Sequence, residues 1–333
     1  VGAIGGEAAR LALHRPNIEV VAAIDNDPGK VGKDLGQVIG LGRNIGATVS
    51  YDADAVLRSV EADVVLHATA AHLTAIYPQL AQCVAGRKNV ISCAEELVNP
   101  WVSQPGIAQR LDDRAREASV ALVGSGTSPG FVVDTLSLVM AGTCQDVRSI
   151  TVSRVADVGG YRLPAQLRLG IGLAMDEFQR RAGQGAVGYV GLASAVYLVA
   201  EVLGWRLDQV TETVEAVPAK ERRQTAAFTI EKGRVAGVHQ VVRGIMGERE
   251  VIGVDLQMSL GAKESRDSVV IDGRPPVNVS IAGGINDDQA TVGLMVNAVP
   301  LIGRARAGLL TLRDLPLVAT RRAAARPAEE ALL

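Results

Sequence analysis

Between residues 18 and 124 the chain alternates short, β-branched apolar runs with stretches of helical period, and this limits the fold more than any other feature. The runs fall at residues 18–24, 48–50, 62–69, 88–92 and 120–124. Helical stretches lie at residues 54–59, 76–85 and 105–118. Strands separated by helices of this length pair in parallel, so the expectation is a doubly wound α/β sheet of Rossmann type.

The chain opens Val1-Gly2-Ala3-Ile4-Gly5-Gly6 and continues as an Ala-rich helix. Gly2 and Gly5 have the spacing of the last two glycines of GxGxxG. The first glycine and the strand before it are therefore expected upstream of Val1, with the first Rossmann strand missing from the chain as given. Backbone groups of Gly2, Ala3, Ile4 and Gly5 would close on a pyrophosphate at the helix N-terminus. Asp25 ends the next strand, 20 residues beyond Gly5. That is the distance expected of the acid that binds the adenosine ribose hydroxyls. A carboxylate there repels a 2′-phosphate and favours NAD over NADP, while Asn26 softens the preference, so the cofactor is read as NAD or NADP. The bland alternative is that Asp25-Asn26-Asp27-Pro28-Gly29 is only a polar turn. Thr69 and Ala70, at the turn after residues 62–69, and Ser92, at the end of residues 88–92, complete the expected cofactor contacts.

Residues 88–92 deliver Glu95 and Glu96 directly off a strand end. Ligands of an open parallel sheet sit outside the carboxyl ends of its strands. The competing reading is a pair of solvated acids facing the positive end of a helix dipole. Both glutamates stand as catalytic candidates. Glu95 comes first off the strand and is the better proton carrier; Glu96 would point elsewhere and orient or cap. His67 and His72 read as packing or hydrogen-bonding residues, because no acid lies nearby to orient either ring.

Gly124-Ser125-Gly126-Thr127-Ser128-Pro129-Gly130-Phe131 is the densest turn cluster in the chain, followed by a helix over residues 132–140. Beyond it come a strand at 147–155, a loop at 161–166, an apolar helix at 188–203, and strands at 226–231, 235–245, 250–260 and 268–271. These strands are separated by short Gly turns, which gives an α+β domain with a mainly antiparallel sheet. Tyr189, Tyr197 and Trp205 serve either the core or a pocket. Asp287 or Asp288 caps a last helix through Thr291, Met295 and Asn297, and residues 321–328 form a mobile tail. The domains expected are 1–131 for the dinucleotide, 132–285 for substrate and dimerisation, and 286–333 returning to the first.

A net charge of -2 offers no field for nucleic acid or an anionic membrane, and no apolar run is long enough for a membrane span. Three separated cysteines suggest a reducing, cytoplasmic setting without disulfides. Neither CxxC nor HExxH occurs, so no metal site is expected.

The chain resembles 2,4-diaminopentanoate dehydrogenases and the related native amine dehydrogenases, which share a dihydrodipicolinate-reductase-like architecture. The resemblance is carried by Val1-Gly2-Ala3-Ile4-Gly5, Ala23-Ile24-Asp25-Asn26-Asp27-Pro28, Ala94-Glu95-Glu96-Leu97, Gly126-Thr127-Ser128-Pro129-Gly130-Phe131 and Arg154-Val155-Ala156-Asp157. Gly188-Tyr189-Val190-Gly191-Leu192, Thr291, Val296-Asn297-Ala298-Val299-Pro300 and Gly308-Leu309-Leu310-Thr311 extend it over nearly the whole chain. It implies NAD(P)-dependent oxidative deamination of a primary amine, or reductive amination of a ketone or aldehyde with ammonia, by a homodimer. It also implies that an acid of the Ala-Glu-Glu motif is catalytic. Asn297 would hold the nicotinamide carboxamide, or else satisfy backbone groups before Pro300. Ser128, Phe131, Tyr161, Gln166, Tyr189 and Ser194 are the substrate-side candidates. Three positions depart from the family pattern: Tyr189 where His is frequent, Ala193 where an acid is frequent, and Ser128 where Asn is common. They point away from a diamino acid and toward a less polar amine or ketone. The alternatives are 2,4-diaminopentanoate dehydrogenase itself, a dihydrodipicolinate-reductase-like C=N reductase (whose basic His- and Lys-rich motif is not seen), and a non-enzymatic dinucleotide sensor.

Overall fold

The structure, a computed structural model, describes residues 1–225 and 229–320. Two compact units divide it: Val1–Thr127 together with the residues from Asp287, and Ser128–Asn286. In the first, α1 (Ala3–Leu13), β1 (Ala23–Ile24), α2 (Leu35–Val38), β2 (Val49–Ser50), α3 (Ala53–Ser59) and β3 (Val64–His67) follow one another. Next come α4 (Leu73–Ala85), β4 (Asn89–Ser92), a 3-10 turn (Glu95–Leu97), α5 (Pro100–Ser103), α6 (Pro105–Ala118) and β5 (Ala121–Gly124). The second unit holds α7 (Thr135–Ala141), β6 (Asp146–Asp157), α8 (Leu163–Arg168), α9 (Met175–Gly183) and α10 (Leu192–Val202). Its remaining strands are β7 (Gln209–Pro218), β8 (Arg223–Gln224), β9 (Thr229–Ile230), β10 (Val235–Met246), β11 (Arg249–Ser259), β12 (Arg266–Arg274) and β13 (Val277–Ala282). The chain then re-enters the first unit as α11 (Asp287–Ile302) and β14 (Gly308–Leu310).

The main sheet of the first unit is parallel throughout, in the order β14-β5-β4-β3. Its strands alternate between two cores. Val90 and Leu122 face Leu73, Ile76 and Leu80 of α4 and Leu111 of α6. Ile91 and Val123 face Met295, Ala298 and Ile302 of α11. Each such side chain contributes roughly 1.5–3 kcal/mol when fully buried, so the period-two alternation fixes which helix covers which face. β1 and β2 form a separate parallel pair. The predicted strand at 18–24 is reduced to Ala23–Ile24, because only these residues find ladder partners.

The second unit carries a six-stranded sheet, β13-β12-β6-β11-β10-β7, antiparallel except between β11 and β6. Several elements differ from the sequence reading. The helix expected at 132 starts at Thr135, since the Asp134 carboxylate caps it by accepting from the N–H groups of Thr135 and Gly130. The helix expected at 188 starts at Leu192, since Gly188 and Gly191 sit at φ 94 and 81, outside the helical region. Part of the loop at 161–166 is helical from Leu163, with a proline in the first turn, where its missing N–H costs nothing. Helix α9 and strands β7 and β13 were not expected. Of the predicted strand at 226–231, residues 226–228 lie outside the described residues, as does the tail from 321. No helix among the described residues is long and apolar enough to cross a membrane.

Helix α6 shows how the sheet edge is held. Its buried residues are Ala108, Leu111, Asp112 and Ala115, one helical face with an acid in it. Asp112 Oδ1 accepts from the N–H of Leu309 at 2.8 Å, and Oδ2 pairs with Arg116 Nε at 2.7 Å. The carboxylate thus ties the edge strand β14 to α6. Asp112→Ala leaves the Leu309 N–H buried and unpaired, so the midpoint of urea unfolding should fall by the equivalent of about 1–3 kcal/mol.

Candidate active site

β3, β4 and β5 end side by side at His67, Ser92 and Gly124. Cross-links between their carboxyl ends run from Cys93 N to His67 O at 3.1 Å and from Ser125 N to Ser92 O at 2.8 Å. The chain leaving β4 bends into the Glu95–Leu97 turn, which lies directly on β5. A Cβ added to Gly124 would sit 2.4 Å from the carbonyl carbon of Leu97, closer than any side chain tolerates. Leu97 and Val98 are buried beneath the turn, and Glu95 is half-buried at its start.

The two glutamates separate, as expected for adjacent residues. Glu96 is buried, and its Oε2 accepts from the N–H of Leu73 at 2.6 Å, at the start of α4. Its Oε1 faces Gln104 Nε2 at 3.3 Å, and its own N–H donates to Ala71 O at 3.2 Å. These bonds commit Glu96 to capping α4. Ser92 does not present its hydroxyl to a ligand. It is wholly buried, bonded to His67 Nδ1 at 2.9 Å and accepting from Ala94 N at 3.2 Å. His67 Nε2 meets Gln79 Oε1 at 2.8 Å and Thr69 Oγ1 at 3.1 Å. Burial holds the His67 imidazole below its ordinary pKa, against a smaller opposing effect of the Gln79 bond. Thr69 and Ala70 are exposed at the end of β3.

At the opposite flank the glycine-rich turn enters α1. No side chain caps this helix, so the N–H groups of its first turn point outward without a side-chain acceptor. That suits a pyrophosphate. A Cβ on Gly2 would meet nothing, whereas Gly5 packs toward Ala68 at the end of β3. A cavity of about 340 Å³ runs beside this turn, lined by Gly2, Ile4, Arg10 and Ile39 among others. Asp25 accepts from the Asp27 N–H at 2.9 Å and Lys30 Nζ at 3.1 Å. Burial raises its pKa, while the Asp27 N–H and the Lys30 ammonium lower it. Asn26 beside it is exposed. Asn297 is not brought to this group. Its Oδ1 accepts from Arg15 Nη2 at 3.0 Å, beyond the C-terminal end of α1, whereas Asp288 of the same helix lines the cavity at the N-terminal end. The two positions lie about two and a half helical turns apart.

In the second unit most expected substrate contacts are turned inward. Ser128 Oγ accepts from Arg154 Nη1 at 2.7 Å, and both are buried. Gln166 is buried, its amide nitrogen shared among the carbonyls of Val158, Gly159 and Tyr161 at 3.0–3.1 Å. Ser194 is buried in the first turn of α10. Phe131 and Tyr161 pack, half-buried, on the core of this unit. The backbone of Tyr189 is clamped by Gln240, which accepts from its N–H at 2.7 Å and donates to its carbonyl at 2.8 Å. The Arg168 guanidinium lies 5.0 Å over its ring.

Sequence reasoning missed Gly124, Arg154 and Gln240 as organisers. A signal existed for the last two. Arg154 falls on the same strand face as Ile150, Val152 and Ala156, and Gln240 on that of Val238 and Val242, so each is a polar residue at a buried strand position.

Residues 131–330 match the profile of the 2,4-diaminopentanoate dehydrogenase C-terminal domain, and residues 1–95 that of the dihydrodipicolinate reductase N-terminus. A 2,4-diaminopentanoate dehydrogenase of Acetoanaerobium sticklandii is 29% identical over 325 residues, covering 95% of this chain and 92% of its own. An amine dehydrogenase of Streptomyces virginiae is 25% identical over 347 residues, covering 95% and 94%. The structure of an amine dehydrogenase from Mycobacterium smegmatis superposes with a TM-score of 0.87 at 24% identity, covering 96% of this chain and 95% of that one.

Two outcomes test the packing of this site. Gly124→Ala forces backbone against backbone and should lower stability by about 1–3 kcal/mol or more, read as a fall in melting temperature. His67 makes stability depend on pH. Below about 6.5 the unfolded imidazole takes up a proton that the folded one refuses, so stability falls with pH until the folded ring also titrates. Urea titrations between about pH 7 and 5 should show a shallower slope for His67→Asn than for the wild type.

Proposed function

The chain belongs to the family of the 2,4-diaminopentanoate dehydrogenase C-terminal domain, and from that premise we propose that it is an NAD(P)-dependent amine dehydrogenase. It removes the amino group of a primary amine oxidatively and, in reverse, aminates a ketone or aldehyde with ammonia. The observation that supports this best is the half-buried Glu95 at the carboxyl edge of a parallel sheet, with its neighbour Glu96 committed to capping.

When bound, NAD(P) supplies or takes up the hydride. The uncapped N-terminus of α1 holds the pyrophosphate, and the Asp25 carboxylate holds the ribose hydroxyls and favours NAD, with Lys30 offsetting part of that preference. In the amination direction, protonated Glu95 gives its proton to the carbinolamine oxygen, which leaves as water. In deamination the carboxylate takes a proton from the water that attacks the iminium carbon. Of the three departures from the family pattern, Ser128 is engaged by Arg154. Tyr189 and Ala193 are the pair that support a less polar amine than a diamino acid. A homodimer goes with this reading and is checked by light scattering.

The test is a panel of ketones and aldehydes with ammonia, run with NADH and with NADPH. Oxidation of the cofactor that requires ammonia supports the proposal. Turnover without ammonia would indicate a C=N or C=O reductase, and cofactor binding without any turnover a sensor. Glu95→Gln should lower kcat on the order of a hundred- to ten-thousand-fold while the reduced cofactor still binds. Survival of activity in that variant would remove Glu95 from the reaction.

A further inference from the structure

We infer that His67 is a positioning residue for Glu95, acting through the hydroxyl of Ser92 on the neighbouring strand. This rests on the role of Glu95 proposed above. His67 and Ser92 stand opposite each other in the parallel register of β3 and β4. Gln79 Oε1 lies 2.8 Å from His67 Nε2 and also accepts from the Thr69 hydroxyl at 2.8 Å. With the Gln79 oxygen as the shared acceptor, the proposed arrangement puts the ring proton on Nε2 and leaves Nδ1 a bare lone pair. Nδ1 therefore accepts a hydrogen bond from the Ser92 hydroxyl across 2.9 Å. That turns the lone pairs of Ser92 Oγ toward the backbone, where the Ala94 N–H donates to it at 3.2 Å. Ala94 is the cap of the turn that begins with Glu95.

The bonds thus share one direction, from helix α4 through the ring to the hydroxyl and on to the turn. Reversing the ring tautomer would make Nδ1 a donor. Ser92 Oγ would then accept from both Nδ1 and the Ala94 N–H, and the hydroxyl proton would lose its acceptor. The tether sits at the hinge of the turn, two residues after the last strand residue pairs. Gly124 fixes the far side of the turn by contact, and Ser92 fixes its near side by a directed bond. Errors in the direction of a catalytic carboxylate of even an ångström cost about a hundredfold in rate.

Three variants test this: His67→Asn, His67→Leu and Ser92→Ala. The Asn oxygen stands where Nδ1 stands and keeps the acceptor, whereas Leu fills space without one. Exchange of the Ala94 amide with deuterium should be roughly tenfold faster or more in His67→Leu and Ser92→Ala, and within about threefold of wild type in His67→Asn. With the carbonyl of the panel that is turned over fastest, kcat should fall about ten- to a hundredfold in the first two and stay near wild type in the third, with KM for the reduced cofactor unchanged throughout. The 15N spectrum of His67 should show the proton on Nε2. Equal behaviour of the Asn and Leu variants, or a proton on Nδ1, overturns the inference. Should His67→Leu fail to fold, Ser92→Ala against His67→Asn carries the same contrast. If Glu95→Gln is inactive while Asn and Leu at position 67 behave alike, the tether fails and the role of Glu95 stands. If Glu95→Gln is fully active, the role of Glu95 fails, and Ala94 exchange alone decides whether the tether exists.

Discussion

The contact on which the rest of this site depends is between two backbones. The turn carrying Glu95 rests on β5 at Gly124, with no side chain between them. Because both partners are main chain, the separation cannot be relaxed by a rotamer change. Sheet position is therefore transmitted to the turn without slack. The parallel register of β3, β4 and β5 then determines where the carboxylate starts, and the covering helices determine the register through the alternation of Val90 and Ile91.

Much of the fold is legible in the sequence. Apolar runs bounded by turn residues mark the parallel strands, and the helix at Pro105–Ala118 is announced at both ends by its proline and its break in period. The doubly wound sheet and the mainly antiparallel second sheet follow from those patterns. What is not legible is where a polar group satisfies its neighbours. Ser92, Ser128 and Gln166 read as hands held out to a ligand, Asn297 as either that or a backbone partner, and Glu96 as either a catalytic acid or a cap. In the structure, Ser92, Ser128, Gln166 and Glu96 are buried and bonded within the chain, and Asn297 is taken by Arg15. A buried hydroxyl or amide must find a partner, but which partner is a tertiary fact: it lies 25 positions away for Ser92, 26 for Ser128 and 282 for Asn297. Boundaries failed for a more local reason. Asp134 and Gly191 start their helices later than the apolar pattern does, because a cap and a positive φ override hydrophobic period.

The second unit rests on polar residues at apolar register. Arg154 and Asp267, both buried, pair across adjacent strands at 3.3 Å. Removing water from such a pair is costly, and it is tolerated where further hydrogen bonds complete the set. Here Arg154 also donates to the Ser128 hydroxyl and to the Ile285 carbonyl, and Asp267 Oδ2 accepts from the Ile285 N–H at 2.7 Å.

Ser128 and Ile285 lie at the entry and exit of that unit. One guanidinium therefore gathers both ends of a stretch of well over a hundred residues to a single spot. In the other unit, Thr127 Oγ1 donates to the Asp287 carbonyl at 3.1 Å, so the two lips of the interruption already touch. A segment whose ends emerge together, set into a host whose cut ends meet, has the geometry of a cassette. It can be exchanged for another of different pocket shape while the nucleotide-type host keeps its own core, which gives such a chain a route to new substrates by transplantation rather than by gradual repacking.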